Sequence, residues 1–289
     1  MGDFLLDFKR GDERAIVKAS EFLRFYEDMR VERYGYPEFT LLLSCADNPQ
    51  IWSPFSPADQ SLLIALCGRI ALDQKQWDEA SKVEGQGGLA CKFISRIYAE
   101  SGIAGVENLS GNFTIILFDR SAQKLFLVTD RWGLLPSFKF SGAGHLVFGS
   151  HPDAVADLVG ESHNWDLTSL AEFVLTGKVS APYTYYSKIK ALPVGSTTTV
   201  SFDEHAVAGE QSRTYFQFQP RPEPLEKTEE LAEQFAAAFR QSIAKRTLPI
   251  LGKSAVALSG GLDSRTVLCA ASDPRALLTF SCYDQENLE

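Results

Sequence analysis

The hydrophobic stretches of this chain are short and separated by polar turns, a pattern of buried strands more than of long helices. Residues 39–45 (FTLLLSC) and 62–67 (LLIALC) predict two buried strands, and the Pro, Asp and Asn content of DNPQIWSPFSPADQ between them predicts a loop. Residues 113–118 (FTIILF), 125–128 (LFLV), 137–140 and 146–148 then predict strands separated by turn residues, at the spacing of a meander. Residues 196–202 (STTTVSF) are rich in β-branched side chains and predict a further strand. Helical spacing runs through residues 13–33, where Ala15, Phe22, Phe25, Tyr26 and Met29 recur near one face. It returns after GQGG (85–88) over residues 89–101, with Phe93, Ile94, Ile97 and Tyr98 on the apolar side. Short helices are predicted at 152–158 and 167–175.

The pattern changes after residue 216. QFQPRPEP (217–224) carries three prolines in eight residues, cannot hold regular structure, and reads as part of a linker over 217–227. A capped amphipathic helix is predicted over 228–246, with Thr228 at its start and Leu231, Phe235, Ala238, Phe239 and Ile243 along one face. A strand at 254–258, a Gly-rich turn, a helix at 264–271 and a strand at 276–282 follow; together they make a βαβ unit and imply a parallel sheet. The division expected is therefore 1–216, a linker 217–227, and 228–289.

Composition narrows the classes. With 289 residues, 45% of them hydrophobic and 22% charged, the chain has the makings of about two packed domains. A net charge of −9 argues against nucleic acid as the main partner. No run of about 18 apolar residues predicts a membrane span. The start, MGDFLLDFKRGDER, has acidic residues inside its apolar run and does not read as a secretory signal, nor does it carry a myristoylation pattern. Five scattered cysteines (Cys45, Cys67, Cys91, Cys269, Cys282) without a CxxC pair read as reduced thiols, and a cytoplasmic location is expected.

The chemistry is concentrated in one loop. A strand ending at Leu258, then Ser259, Gly260, Gly261, Leu262, Asp263 and Ser264 opening a helix, sets consecutive backbone amides at a helix N-terminus, a nest for an anion. Gly260 and Gly261 allow close approach of phosphate oxygens, and Ser259 and Ser264 offer hydroxyls. Asp263 would repel phosphate by itself, so it is expected to act on Mg²⁺ bound with ATP. No Walker-type Lys is present. The loop therefore points to gripping the pyrophosphate end of ATP while an acid attacks the α-phosphorus.

SGGLDSR (259–265) resembles the motif of the asparagine synthetase family, and other segments resemble that family in order. They are residues 109–140 with the Asp130-Arg131 turn, HLVFGSHPDAVADL (145–158) and KIKALPVGSTTTV (188–200). The resemblance implies an α+β, αββα-layered (Ntn-hydrolase-like) amidotransferase domain, followed by the beginning of an α/β parallel-sheet ATP-pyrophosphatase domain. It also implies an unidentified carboxylate substrate, an amine or ammonia as nitrogen donor, and room for a homodimer. Departures are equally specific. A working glutaminase of this class needs Cys at its mature N-terminus, and position 2 is Gly. The family's Asn-Gly pair corresponds to Cys67-Gly68, its acidic amine-binding residue corresponds to Ala90, and no Arg lies between Arg33 and Arg69 to clamp a carboxylate. No catalytic residue is therefore assigned, and the chain is expected to be the front part of a longer protein.

Other features take plainer readings. The four histidines (His145, His151, His163, His205) share no metal-ligand spacing. Asp130-Arg131 is expected to staple two strands, and Cys67 to be a buried small hydrophobe with a raised pKa. Trp132, Trp165, Tyr183, Tyr185 and Tyr186 are expected in core or interdomain packing. Three functions stay open: an asparagine synthetase-like ligase, an ATP-dependent cyclase resembling β-lactam synthetase or lasso-peptide cyclase, and a non-catalytic relic or scaffold.

Overall fold

The computed structural model describes residues 2–9, 13–24, 29–44, 48–142, 144–220 and 227–282. In chain order the elements are β1 (Phe4–Asp7), α1 (Glu13–Glu21), β2 (Val31–Gly35), β3 (Thr40–Ser44), α2 (Pro49–Trp52), β4 (Leu62–Ile70), α3 (Gln74–Ala80) and α4 (Leu89–Glu107). Next come β5 (Gly111–Asp119), β6 (Lys124–Thr129), β7 (Phe138–Gly142), β8 (His145–Gly149), α5 (Pro152–Leu158), α6 (Leu167–Thr176), β9 (Ile189–Ala191), β10 (Ser196–Asp203) and β11 (Ala206–Thr214). The chain ends in α7 (Thr228–Arg246), β12 (Ala255–Ala257), α8 (Leu262–Ala270) and β13 (Leu278–Phe280). Two compact units result: residues 1–70 with 79–217, and residues 71–78 with 218–289.

The first unit is a sandwich of two antiparallel sheets. One runs β2-β3-β1-β8-β7-β9 and the other β11-β10-β6-β5-β4. Strand alternation explains why several strands are hydrophobic at every position. Phe4, Leu6, Leu41 and Leu43 point into the inter-sheet core, where they meet Leu63, Ala65, Ile116, Phe118, Leu127 and Phe202. The intervening residues of the first sheet, Leu5, Leu42 and Val147, pack under α1 and α5 through Ile16, Ala19, Ala154 and Val155. The outer face of β4 is covered by α4, which buries Ala90, Cys91, Phe93 and Ile94. Helix, sheet, sheet, helix is the layering expected from the resemblance. Because both faces of each sheet have cover, the central strands read as continuous apolar runs instead of alternating ones.

Several expectations are corrected. The helix expected over 13–33 ends at Glu21, and Val31–Gly35 is an edge strand with Glu32 and Arg33 exposed; Phe25 and Tyr26 lie outside the described residues, as do Cys45 and residues 221–224 of the Pro-rich segment. Phe4–Asp7 forms a central strand, hydrogen-bonded to β3 and β8, that no sequence pattern had marked. At α7 the cap is Lys227 and makes no side-chain bond, so Thr228 does not cap the helix. Trp132, Trp165 and Tyr183 are exposed. Trp132, in the turn after β6, lies edge-on to Phe216, Trp165 bridges to and stacks on Tyr186, and Tyr183 lies beneath the Lys190 ammonium.

In the second unit β12 and β13 pair in parallel, joined by α8, as the βαβ reading requires. The small sheet is consistent with the start of a following domain. Helix α7 buries no residue: Phe235 is 67% exposed and stacks on Phe239.

Candidate functional site

Two places carry the chemistry suggested by sequence. The first lies at the start of the chain. Backbone bonds fix β1 beside β3 here: the Asp3 amide donates to the Ser44 hydroxyl and the Ser44 amide to the Asp3 carbonyl. Gly2 therefore sits by the end of β3 and the middle of β4, where an added Cβ would meet the Ser44 carbonyl at 3.0 Å and the Leu66 carbonyl at 3.9 Å. Next to it is a cavity of about 60 Å³ walled by Leu43, Trp52, Pro54, Leu66 and Cys67, with Glu32 its one carboxylate. A water needs roughly 10–15 Å³ of such space, so the cavity holds a handful of waters and not a glutamine. Among the described residues lining it none is Lys, Arg or His. The Arg69 guanidinium stacks over Trp52, one of the lining residues, at 5.5 Å from the ring centroid.

Of the positions that the resemblance aligns with glutaminase groups, Gly2 and Cys67 line this cavity, and Gly68 and Ala90 are not among its lining residues. Burial pushes the Cys67 thiol well up, so it carries no thiolate. Burial likewise pushes Cys91 up, to about 12. Ala90 is fully buried in the first turn of α4 and offers no acceptor. Gly68 keeps the backbone feature: at φ 93°, a Cβ would sit 2.1 Å from the Asn112 carbonyl. At these positions the described residues offer a constrained glycine turn, two buried thiols and an alanine.

Asp130 behaves as the stapling residue expected. Its fully buried carboxylate accepts from the amides of Trp132 at 2.8 Å, Phe113 at 3.3 Å, Leu134 at 3.4 Å and Leu135 at 3.5 Å, tying the β6–β7 turn to β5. Three histidines pair with carboxylates: His145 with Asp7, His205 with Glu38, and His151 with Asp3. Among the described residues no three His, Cys, Asp or Glu side chains gather as a metal site.

The second place is the loop between β12 and α8. Gly260 takes φ 75°, the left-handed conformation that turns the chain from strand into helix. The helix begins at Leu262, with Gly261 as cap and no side-chain bond to its first amides, so those donors face outward. Ser259 and Ser264 are engaged with each other: the Ser264 hydroxyl accepts from the Ser259 amide at 3.2 Å and lies 3.3 Å from the Ser259 hydroxyl. They tighten the loop rather than stand ready as separate donors. Asp263 is exposed in the first turn and Leu258 is half-buried at the strand end. The arrangement fits a phosphate chain at a helix N-terminus. Mg²⁺ would be held by Asp263 together with phosphate oxygens and water.

The similarities of the chain agree with this frame. A family model described as a glutamine amidotransferase domain matches residues 44–215. "Asparagine synthetase [glutamine-hydrolyzing] 2" of Bacillus subtilis is 26% identical over 206 residues, covering 68% of this chain and 27% of that protein. A "Putative asparagine synthetase [glutamine-hydrolyzing]" of Mycobacterium tuberculosis (strain H37Rv) is 27% identical over 191 residues, 64% of this chain and 28% of its own length. The chain thus spans about a quarter of the length of these relatives. Among solved structures, glutamine phosphoribosylpyrophosphate amidotransferase from B. subtilis, complexed with ADP and GMP, superposes with a TM-score of 0.53 at 10% identity, covering 97% of this chain and 65% of that one. The "allosteric regulatory enzyme of purine biosynthesis" gives 0.52 at 10% identity, over 92% of this chain and 62% of the other. At such identity the likeness is one of fold, the two-sheet architecture of Ntn-hydrolase-type amidotransferase domains. On the match over residues 44–215, the chain belongs to the glutamine amidotransferase domain family, with asparagine synthetases among its homologues.

Proposed function

We propose that this chain is the front part of an ATP-dependent amide-forming ligase whose amidotransferase domain no longer hydrolyses glutamine. The observation that carries the reading is the loop of residues 258–264, with its outward amides and Asp263 at the mouth of α8. In the whole protein a substrate carboxylate would attack the α-phosphorus of Mg-ATP, forming an acyl-adenylate and releasing pyrophosphate. An amine would then attack the acyl carbon and release AMP. Leu258, Ser259, Gly260, Gly261, Leu262, Asp263 and Ser264 would hold the pyrophosphate end. The apolar cavity beside Gly2 favours an amine that is not drawn from glutamine in this domain. Free ammonia and an amine within the substrate, as in a cyclase, both satisfy that condition. The test is exchange of labelled pyrophosphate into ATP by the whole protein: Asp263→Ala is expected to abolish it with folding intact. Exchange at the parent rate in that variant refutes the assignment.

A further inference from the structure

The chain carries 37 acidic against 28 basic residues, yet one groove of the sandwich unit is lined by two arginines and no carboxylate. It measures about 500 Å³, within the roughly 300–1,000 Å³ usual for small-molecule sites. Its walls are the end of β2 and the turn after it (Tyr34, Tyr36), the loop before β4 (Phe55, Gln60) and the start of the β5–β6 turn at Arg120. The groove is separate from the cavity beside Gly2, with Pro54 lining both.

The two arginines differ. Arg33 is neutralised by a two-pronged pair with Glu13 at 2.6 and 2.8 Å. The Arg120 guanidinium has neither hydrogen bond nor ion pair among the described residues, although its backbone is fixed: its amide donates to the Ser61 carbonyl, and its carbonyl accepts from the Gln123 amide and side chain. Opposite in character is Tyr36. Its ring is clamped, stacked on Phe39 with centroids 5.0 Å apart and edge-on to Phe118 at 5.4 Å, so its hydroxyl is held in place. Burial raises its pKa, the Arg120 charge opposes this and Glu38 adds to it, so the hydroxyl stays a neutral donor. Glu38, the nearby acid, is turned to the His205 ring nitrogen at 2.6 Å. Gln60, at φ 53°, is held by a turn whose amide bonds to the Pro57 carbonyl.

A guanidinium unpaired among the described residues on a fixed backbone, with the clamped Tyr36 and with Tyr34 also in the walls, forms a receptor for one negative charge on a flat body. We infer that this groove binds a small aromatic anion, a carboxylate or a phosphate monoester, with Arg120 holding the charge and Tyr36 donating beside it. The site goes beyond the ligase reading and stands independently of it.

Benzoate and phenyl phosphate carry the two head groups on one ring, and phenol serves as the uncharged control. Calorimetric titration of each into the parent chain is expected to show saturable binding of at least one anion below 1 mM or so, and none of phenol. Arg120→Ala is expected to weaken it tenfold or more, Arg120→Lys less, and Tyr36→Phe about threefold, with unchanged thermal unfolding. The head group preferred tells which anion the groove is built for. Asp263→Ala should leave this binding untouched, which separates it from any binding at the ATP loop. Absence of saturable binding by both anions, or an Arg120→Ala affinity within twofold of the parent, overturns the inference.

Discussion

The sandwich unit and the C-terminal unit use the same apolar residue types to opposite effect. In the sandwich Phe4, Phe113, Phe118 and Phe148 are wholly buried, each strand face having a second layer to meet. In the C-terminal unit Phe235, Leu262 and Phe280 stand 67%, 74% and 52% exposed. Helix α7 has the amphipathic spacing of a packed helix, and the β12–β13 sheet is the parallel kind that occurs covered on both faces. Periodicity states which face an element offers; it does not state whether anything is there to receive it.

The comparison breaks most readily at Phe118. Its replacement, Phe118→Ala, removes a ring packed against Tyr36, Phe39 and Phe202 and should cost the sandwich about 3–5 kcal/mol in denaturant unfolding. Next is Asp130→Ala, which orphans the amides now bonded to its carboxylate; a loss of at least about 2 kcal/mol is expected, with the Trp132 turn freed in amide exchange.

A smaller, pH-dependent effect belongs to Asp3 and His151. The Asp3 hydrogen bond raises the His151 pKa; burial opposes, and the charges of Asp3 and Asp153 add to the rise. For Asp3, burial pushes upward but the His151 bond and charge and the Ser150 hydroxyl outweigh it, leaving the pKa lowered. The histidine's contribution is complete below its unfolded pKa and fades as pH rises through the raised folded value. The aspartate's is complete above its unfolded pKa and fades as pH falls through the lowered one. Melting curves of parent and His151→Gln should therefore differ most near pH 5 and converge in alkaline buffer. A constant difference across pH would remove the pair from the account. The smallest effect is expected at Phe235→Ala, within about 0.5 kcal/mol, because the ring is exposed. A cost like that of Phe118→Ala would show that the C-terminal unit packs as the sandwich does.

Much of the sandwich was legible in sequence because its central strands are apolar runs or rich in β-branched residues: 113–118, 125–128 and 196–202 all fall within observed strands. Strand β1 was hidden by its shortness and by Asp7, whose carboxylate is buried against His145, a partner distant in the chain. The edge strand β2, polar and half-exposed, carries no apolar alternation to announce it. At the candidate sites, Gly2, Cys67 and Ala90 could be named by resemblance, but Trp52 with Arg69 over it could not, since only folding brings that pair together. The mutual engagement of Ser259 and Ser264 likewise depends on the turn at Gly260.

The central claim, an amidotransferase fold without glutaminase chemistry, meets its most direct test in glutamine hydrolysis. Glutamate release from glutamine is measured for the parent chain and for Gly2→Cys, each against a no-enzyme control. Both are expected to stay at background, because a thiol restored at position 2 still faces a cavity with no Lys, Arg or His among the described residues lining it, and Ala90 offers no side-chain acceptor. Saturable glutamate production by the parent chain, or its recovery in Gly2→Cys alone, would contradict the account.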